Sequence, residues 1–350
     1  MHQEPWRMPM RAGSWRRLWP AVVLAPVVML VVILAAMPAA GGVRDARADG
    51  WPNRPVTLIV PSGAGGGTDQ TGRLLAERLR ARLGQPVVVV NRGQGGGVVG
   101  IGAIRDARPD GYTLGILYNF AHYTPLGQAA VEAEDFTAIA QYNADPAAVV
   151  VHRDSPWTDV GAALDAVKAD PGGVTIACAG GCGGSWPVAI ASLLRAWDVD
   201  PAAVRMIPSQ GAAASLQDLA AGGVDMVPCS LPEARALMEA GVVRGLAVFG
   251  AERLPAFAAV PLLAEETGLT LDLGAWRGLV GPAGLPEAVT ARLERAMADV
   301  VADPGFRAEM ADRGFGVVWR DGAAFAAFLR QQQTTVRALL RDLGLTRADP

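Results

Sequence analysis

The chain has 350 residues, 51% of them hydrophobic and 19% charged, a composition suited to a globular protein with a sizeable core. Acidic residues (34) outnumber basic ones (31), and no basic run lies beyond the N-terminal segment, which argues against a nucleic-acid partner. Lys168 is the only lysine, so lysine-dependent phosphate loops and Schiff-base chemistry have no side chain to use near a glycine turn.

At the N-terminus Arg7, Arg11, Arg16 and Arg17 precede an apolar run over 18–36, and Ala46-Arg47-Ala48 follows it. This order predicts a cleavable signal peptide over 1–48 and a periplasmic product. The competing reading is an uncleaved membrane anchor, because the run approaches spanning length. No cysteine stands beside the run to accept a lipid. Without the leader 25 basic and 32 acidic residues remain, on a length that favours two domains.

Val56-Thr57-Leu58-Ile59-Val60 reads as a buried strand, followed by the turn Pro61-Ser62-Gly63-Ala64-Gly65-Gly66-Gly67-Thr68-Asp69. A helix over 70–83 comes next, with Leu74, Leu75, Leu79 and Leu83 on one face. Glycines let backbone N–H groups approach a ligand, and a helix start adds unpaired donors and a positive dipole end, so this turn suits an anion. Asp69 reads either as a helix N-cap or as a ligand contact. Gly84 and Pro86 stop the helix. The valines over 87–90 predict a fully buried strand, leading into Asn91-Arg92-Gly93-Gln94-Gly95-Gly96-Gly97 and a helix over 98–107. Arg92 is either a bidentate carboxylate partner or an exposed turn arginine. A turn at 108–111 and a strand over 112–118 complete a βαβ pattern, which implies a parallel sheet with ligand loops at strand ends. Tyr118, Tyr123 and Trp186 read equally as pocket or core residues.

Two strand-like runs, 137–141 and 147–151, mark a crossing, and from 158 the alternation restarts. Helices are expected over 158–169, 187–197, 212–221 and 232–240, and strands over 174–178, 205–208, 225–229 and 243–249. A buried strand over 276–282 precedes helices over 286–302, 305–313 and 322–343, which are expected to return and cover the first domain. The fold class is therefore α/β, with two domains: 49–150 together with 273–350, and 151–272.

Catalytic and metal constellations are scarce. Only His122 and His152 remain after the leader, and Cys178-x-x-x-Cys182 without nearby histidine is weak for zinc, so neither metal nor cofactor is expected. Ser185 follows two glycines, but Pro187 stands where a nucleophile elbow needs glycine. The first glycine turn lacks the Lys-Ser/Thr pair of a P-loop. Three cysteines in an exported chain allow one disulfide and one thiol. Cys178–Cys182, a bridge to Cys229, and three reduced buried thiols all stay open.

Three ordered motifs then become informative together: Pro61-x-x-x-Gly65-Gly66-x-x-Asp69, Asn91-Arg92-x-x-Gly95-Gly96-Gly97 and Pro109-Asp110-Gly111-Tyr112-Thr113-Leu114. With Asp218-Leu219, Val224-Asp225, Trp276-Arg277-Gly278-Leu279 and Gly284-Leu285-Pro286, the chain resembles the Bug-type receptors over roughly Trp51 to Leu345. These are periplasmic solute-binding proteins of tripartite tricarboxylate transporters. The resemblance implies a type II-like flytrap: two mainly parallel sheets flanked by helices, joined by crossover strands and closing on a small carboxylate. It implies membrane permease subunits as partners, a monomer, and no enzymatic activity. A ligand-presenting sensor and, more remotely, an exported hydrolase are the alternatives. Carried over by position, the ligand-binding residues are Ser62, Gly63, Ala64, Gly65, Gly66, Thr68 and Asp69, facing Ala179, Gly180, Gly184, Ser185, Ser209, Gln210, Gly211 and Ser230; Arg92 joins them from its own chemistry. The chain departs from many relatives in having Ser62 in place of an aromatic residue and Ser209-Gln210 in place of Tyr-Lys.

Overall fold

The computed structural model describes residues 50–178, 182 and 184–346. The expected signal peptide and the expected ligand residues Ala179 and Gly180 lie outside the described residues. Among the described residues no helix is long and apolar enough to cross a membrane.

The elements run β1 (Val56–Val60), α1 (Gly67–Leu83), β2 (Val87–Asn91), α2 (Val98–Arg105), β3 (Thr113–Leu117), β4 (Phe136–Pro146), β5 (Ala148–His152), α3 (Val160–Ala169), β6 (Thr175–Cys178), α4 (Ser185–Ala196), β7 (Arg205–Pro208), α5 (Ala212–Ala220), β8 (Met226–Cys229), α6 (Leu231–Glu239), β9 (Val243–Val248), α7 (Leu263–Thr267), β10 (Gly274–Pro282), α8 (Glu287–Ala302), α9 (Pro304–Asp312), β11 (Val317–Arg320) and α10 (Gly322–Asp342). They build a six-stranded sheet ordered β11-β4-β10-β3-β1-β2 and a five-stranded sheet ordered β7-β6-β8-β5-β9. Each sheet carries helices and has its own apolar core.

Both sheets are mixed, not mainly parallel as expected. β1 is parallel to β2 and β3, and β6 is parallel to β7 and β8. These are the βα portions, in which β1 and β2 run directly into glycine-rich turns. β10 runs antiparallel to β3 and β4, and β5 antiparallel to β8 and β9, because these strands carry the chain between sheets.

The expectation of a fully buried strand over 87–90 does not hold. β2 is the outer strand of its sheet, and Val88 is 48% exposed. A valine run has the same composition at an edge as in the middle. β11 and α7 are too short to show a period, and neither was expected. The C-terminal helices cover the first sheet: Leu293 and Val300 of α8 join Leu74 and Leu75 of α1 in one core, and Phe325 and Leu329 of α10 join Trp276 in another.

The chain leaves the first sheet at Pro146, enters the second at Ala148, and returns at Gly274. The two passages are tied to each other: Ala147 N–H donates to the Leu273 carbonyl at 2.9 Å. A Cβ on Gly274 would lie 2.1 Å from the Asp145 carbonyl oxygen, so the paired crossover strands approach as closely as backbone allows. Gly274→Ala must therefore push them apart. We predict that it destabilises the protein by about 1–3 kcal/mol in a denaturant titration; a loss below about 0.5 kcal/mol would show that the crossover relaxes freely.

Candidate functional site

The turn between β1 and α1 forms one wall of a cleft between the two sheets. α1 starts at Gly67, three residues before the expected helix, so Thr68 and Asp69 belong to its first turn. Asp69 is buried and neither caps the helix as its N-cap residue nor faces the cleft. Its carboxylate accepts from Gly65 N–H at 2.9 Å and from Asn91 Nδ2 at 2.9 Å, and it pairs with Arg73 at 2.9 Å. Asn91 also donates to the Ser62 carbonyl at 3.2 Å. Burial opposes ionisation of Asp69, but these hydrogen bonds outweigh it and hold the carboxyl below its usual range. The carboxylate thus ties both ends of the glycine turn to α1 and β2.

The second glycine turn lies under the first. Cβ atoms on Gly93 and Gly97 would come within 2.7 Å of Gly63 N and of the Pro61 carbonyl oxygen, respectively. Tyr118 Oη donates to the Pro61 carbonyl at 2.8 Å, and Tyr123 Oη to the Gly96 carbonyl at 2.9 Å. Burial pushes the Tyr118 phenol up to about 12, so it stays a donor. These glycines serve loop-on-loop packing.

The opposite wall belongs to the second sheet. Gly184, Ser185 and Trp186 from the start of α4, and Gln210 with residues 211–214 from the start of α5, face the turn across a cavity of about 170 Å³. The N-cap residues of α1, α4 and α5 are Gly66, Gly184 and Gly211, and none makes a side-chain cap. By contrast α3, α9 and α10 begin at Asp159, Asp303 and Asp321, whose carboxylates accept from their own helices. The first N–H groups of a helix have no intrahelical acceptor. Three helices therefore direct glycine-capped N-termini at one small cleft, none capped by its own N-cap side chain, which is an anion-binding arrangement.

The only charged side chains lining the cleft among the described residues are Arg277 and Glu233. Arg277 projects from β10, is 2% exposed, donates from Nε to Thr68 Oγ1 at 3.1 Å, and donates from Nη1 to Asn143 and to the buried carboxylate of Asp145. Its Nη2 lies 3.9 Å from Glu233 Oε1. Burial disfavours the guanidinium charge, but Asp145 and Glu233 outweigh it and raise its pKa. Glu233, in the first turn of α6, crosses between the sheets: its Oε1 accepts from Gly67 N–H at 2.9 Å. Its Oε2 accepts from the N–H and the hydroxyl of Ser230, both at 3.1 Å. No group of three or more His, Cys, Asp or Glu side chains among the described residues is placed to hold a metal ion.

The family description "Tripartite tricarboxylate transporter family receptor" matches residues 71–345. The chain belongs to this family of receptors. It is 32% identical to the "UPF0065 protein in tcbD-tcbE intergenic region" of Pseudomonas sp. (strain P51) over 75% of this chain and 78% of that protein. Among solved structures it is similar to the periplasmic binding protein BugD, with TM-score 0.79 and 28% identity over 85% of this receptor and 99% of that chain. It is also similar to MatC from Rhodopseudomonas palustris with bound malate, with TM-score 0.76 and 26% identity over 83% and 100% of the two chains. The receptor is thus a solute-binding protein of Bug type with the two-domain flytrap fold.

Of the residues expected from sequence, the receptor brings Ser62, Gly63, Ala64, Gly66, Thr68, Gly184, Ser185, Gln210 and Gly211 to the cleft. Five others do not line it. Gly65 gives its N–H to Asp69, and Asp69 is spent on the turn. Arg92 is exposed on the second turn. Ser209 directs its hydroxyl to Ser215 and to the Gly211 carbonyl. Ser230 is buried, with its N–H and hydroxyl on Glu233. Gly67 lies within the turn read as an anion site, whereas sequence reasoning missed residues 212–214, Ala275, Arg277 and Glu233 as lining residues. Two signals pointed to the charged pair: an arginine inside an apolar strand run, and the S-x-x-E pattern of a capping box at Ser230-Leu231-Pro232-Glu233. Cys178 at the end of β6 and Cys182 are joined by a disulfide, and Cys229 is a buried free thiol.

The role of Asp69 has a pH signature. Its carboxyl is depressed in the folded receptor, so its contribution is present above the unfolded-state pKa and is lost as pH falls through the lower folded value. Asp69→Asn is expected to lower stability at pH 7 by about 1–3 kcal/mol, with the deficit shrinking as the pH falls below about 4. Melting curves at pH 7 and pH 3 check this; an equal deficit at both would assign the effect to packing alone.

Proposed function

We propose that the receptor captures a small carboxylate outside the cytoplasm, between domains spanning 49–150 with 273–350 and 151–272, and delivers it as a monomer to the membrane permease subunits of a tripartite transporter. The observation that carries the ligand class is the meeting of three glycine-capped helix N-termini on one cleft. Such a site holds a carboxylate by backbone N–H groups and by the hydroxyls of Ser62 and Ser185, without an unpaired cationic side chain. The malate bound to MatC, a relative of the same fold, supports the same class. Because the walls come from different sheets, one ligand bridges them and stabilises the closed arrangement.

The receptor reading is favoured over exported hydrolysis by the composition of the cleft. Ser62 and Ser185 line it, but His122 and His152 do not, so neither hydroxyl has an imidazole base beside it. Burial moreover pushes His122 down to about 4.

A ligand that binds only the folded protein raises its stability by an amount that grows with concentration, about 2.7 kcal/mol at a hundred times Kd. A thermal-shift screen of mono-, di- and tricarboxylates is expected to find at least one with such a dependence. Native mass spectrometry of receptor exported to the periplasm should show the same class of compound bound. No shift with any carboxylate at millimolar concentration would contradict the proposal.

A further inference from the structure

The cleft holds a carboxylate of its own. Glu233 reaches from α6 across to the first turn of α1 and accepts from Gly67 N–H, one of the donors that the glycine turn and helix start present to an anion. The side chain is 5% exposed and borders the cavity, so its charge is shielded from water and faces the space a ligand enters. Its one cationic neighbour among the described lining residues is Arg277, whose Nη2 lies 3.9 Å from Glu233 Oε1. That guanidinium is shared: it pairs more closely with Asp145, which lies behind it and is equally buried. One buried guanidinium stands against two buried carboxylates, leaving a net negative charge at one end of the cavity. The other end, at the starts of α4 and α5, keeps its helix termini free of any such acidic side chain.

We infer that Glu233 sets the ligand's charge pattern: one carboxylate at the free helix N-termini and a cationic, hydrogen-bonding group such as an ammonium against Glu233. The preferred ligand is a small zwitterion, such as an amino acid, over a dicarboxylate of equal length. A second carboxylate of a bound dicarboxylate would meet Glu233 in a site where water does not screen the repulsion, and like charges so placed are disfavoured. An ammonium there donates to the acceptor site that Gly67 leaves unused on Glu233 Oε1. This inference rests on the carboxylate reading of the site and narrows it.

The test compares matched pairs of equal chain length, for example succinate with 4-aminobutanoate, together with α-amino acids, by calorimetry on the wild-type receptor and on Glu233→Gln. Glutamine keeps an acceptor oxygen for one of the two backbone N–H groups, Ser230 or Gly67, and suits a capping box, so the variant is expected to fold. Glu233→Asp serves as a second variant that keeps the charge. The wild type should bind the zwitterionic member of a pair about tenfold or more tightly. Glu233→Gln should lose that preference and gain affinity for the dicarboxylate, while Glu233→Asp retains the wild-type order. Dicarboxylates bound as tightly as zwitterions by the wild type, with no change in Glu233→Gln, would overturn the inference and leave the carboxylate receptor standing. Failure of every carboxylate and zwitterion to bind wild type and variants alike would overturn both.

Discussion

Backbone N–H groups that no side chain satisfies are costly to bury and attractive to anions, and the cleft of this receptor is organised around them. A helix that begins with Asp or Ser answers its own first-turn donors, as α3, α9 and α10 do away from the cleft. A helix that begins with glycine leaves them for something else. α1, α4 and α5 all begin with glycine, all face the same cavity, and come from both sheets. At α1 the Gly67 N–H goes to Glu233, while α4 and α5 have no side-chain cap, and the strand order of each sheet places the turns together.

Bringing those termini together needs a rigid support on each side. On the first sheet Asp69, Asn91 and the second glycine turn hold the binding turn from behind, which explains why residues that look like ligand contacts are structural. Between the sheets the buried Arg277, Asp145 and Glu233 link β10, β4 and α6. A buried ion pair contributes modestly relative to a packed apolar core, yet breaking one by removing a partner typically costs roughly 3–5 kcal/mol. Such a cluster therefore fixes which arrangement of the walls is tolerated more than how stable the fold is. The crossover strands, joined by the bond from Ala147 to Leu273, supply the axis about which the walls are set.

Much of this was legible in the sequence. β1, the glycine turn and α1 are a local pattern, and the ordered glycine motifs identify the family before any coordinates are known. The terminal helices were rightly expected over the first sheet. What could not be read depends on distant neighbours. The valines of β2 look buried until the strand order puts them at an edge. The antiparallel entry of β4 and β10 follows from two separate passages between the sheets, which no local pattern states. Arg92 and Asp69 have the chemistry of ligand residues, but one is exposed and the other is surrounded by donors. Arg277 and Glu233 are 44 positions apart, and only folding brings them to one cavity.

The central claim is that backbone at helix starts, and not a cationic side chain, holds the ligand's carboxylate. A crystal structure of the receptor with a carboxylate-bearing ligand selected by the binding screens tests it most directly. The account predicts carboxylate oxygens about 2.7–3.2 Å from N–H groups at the starts of α4 and α5, with Gly67 N–H still on Glu233 and Arg277 still paired to Asp145. A carboxylate held by Arg277 released from Asp145, or bound outside the cleft, would contradict it.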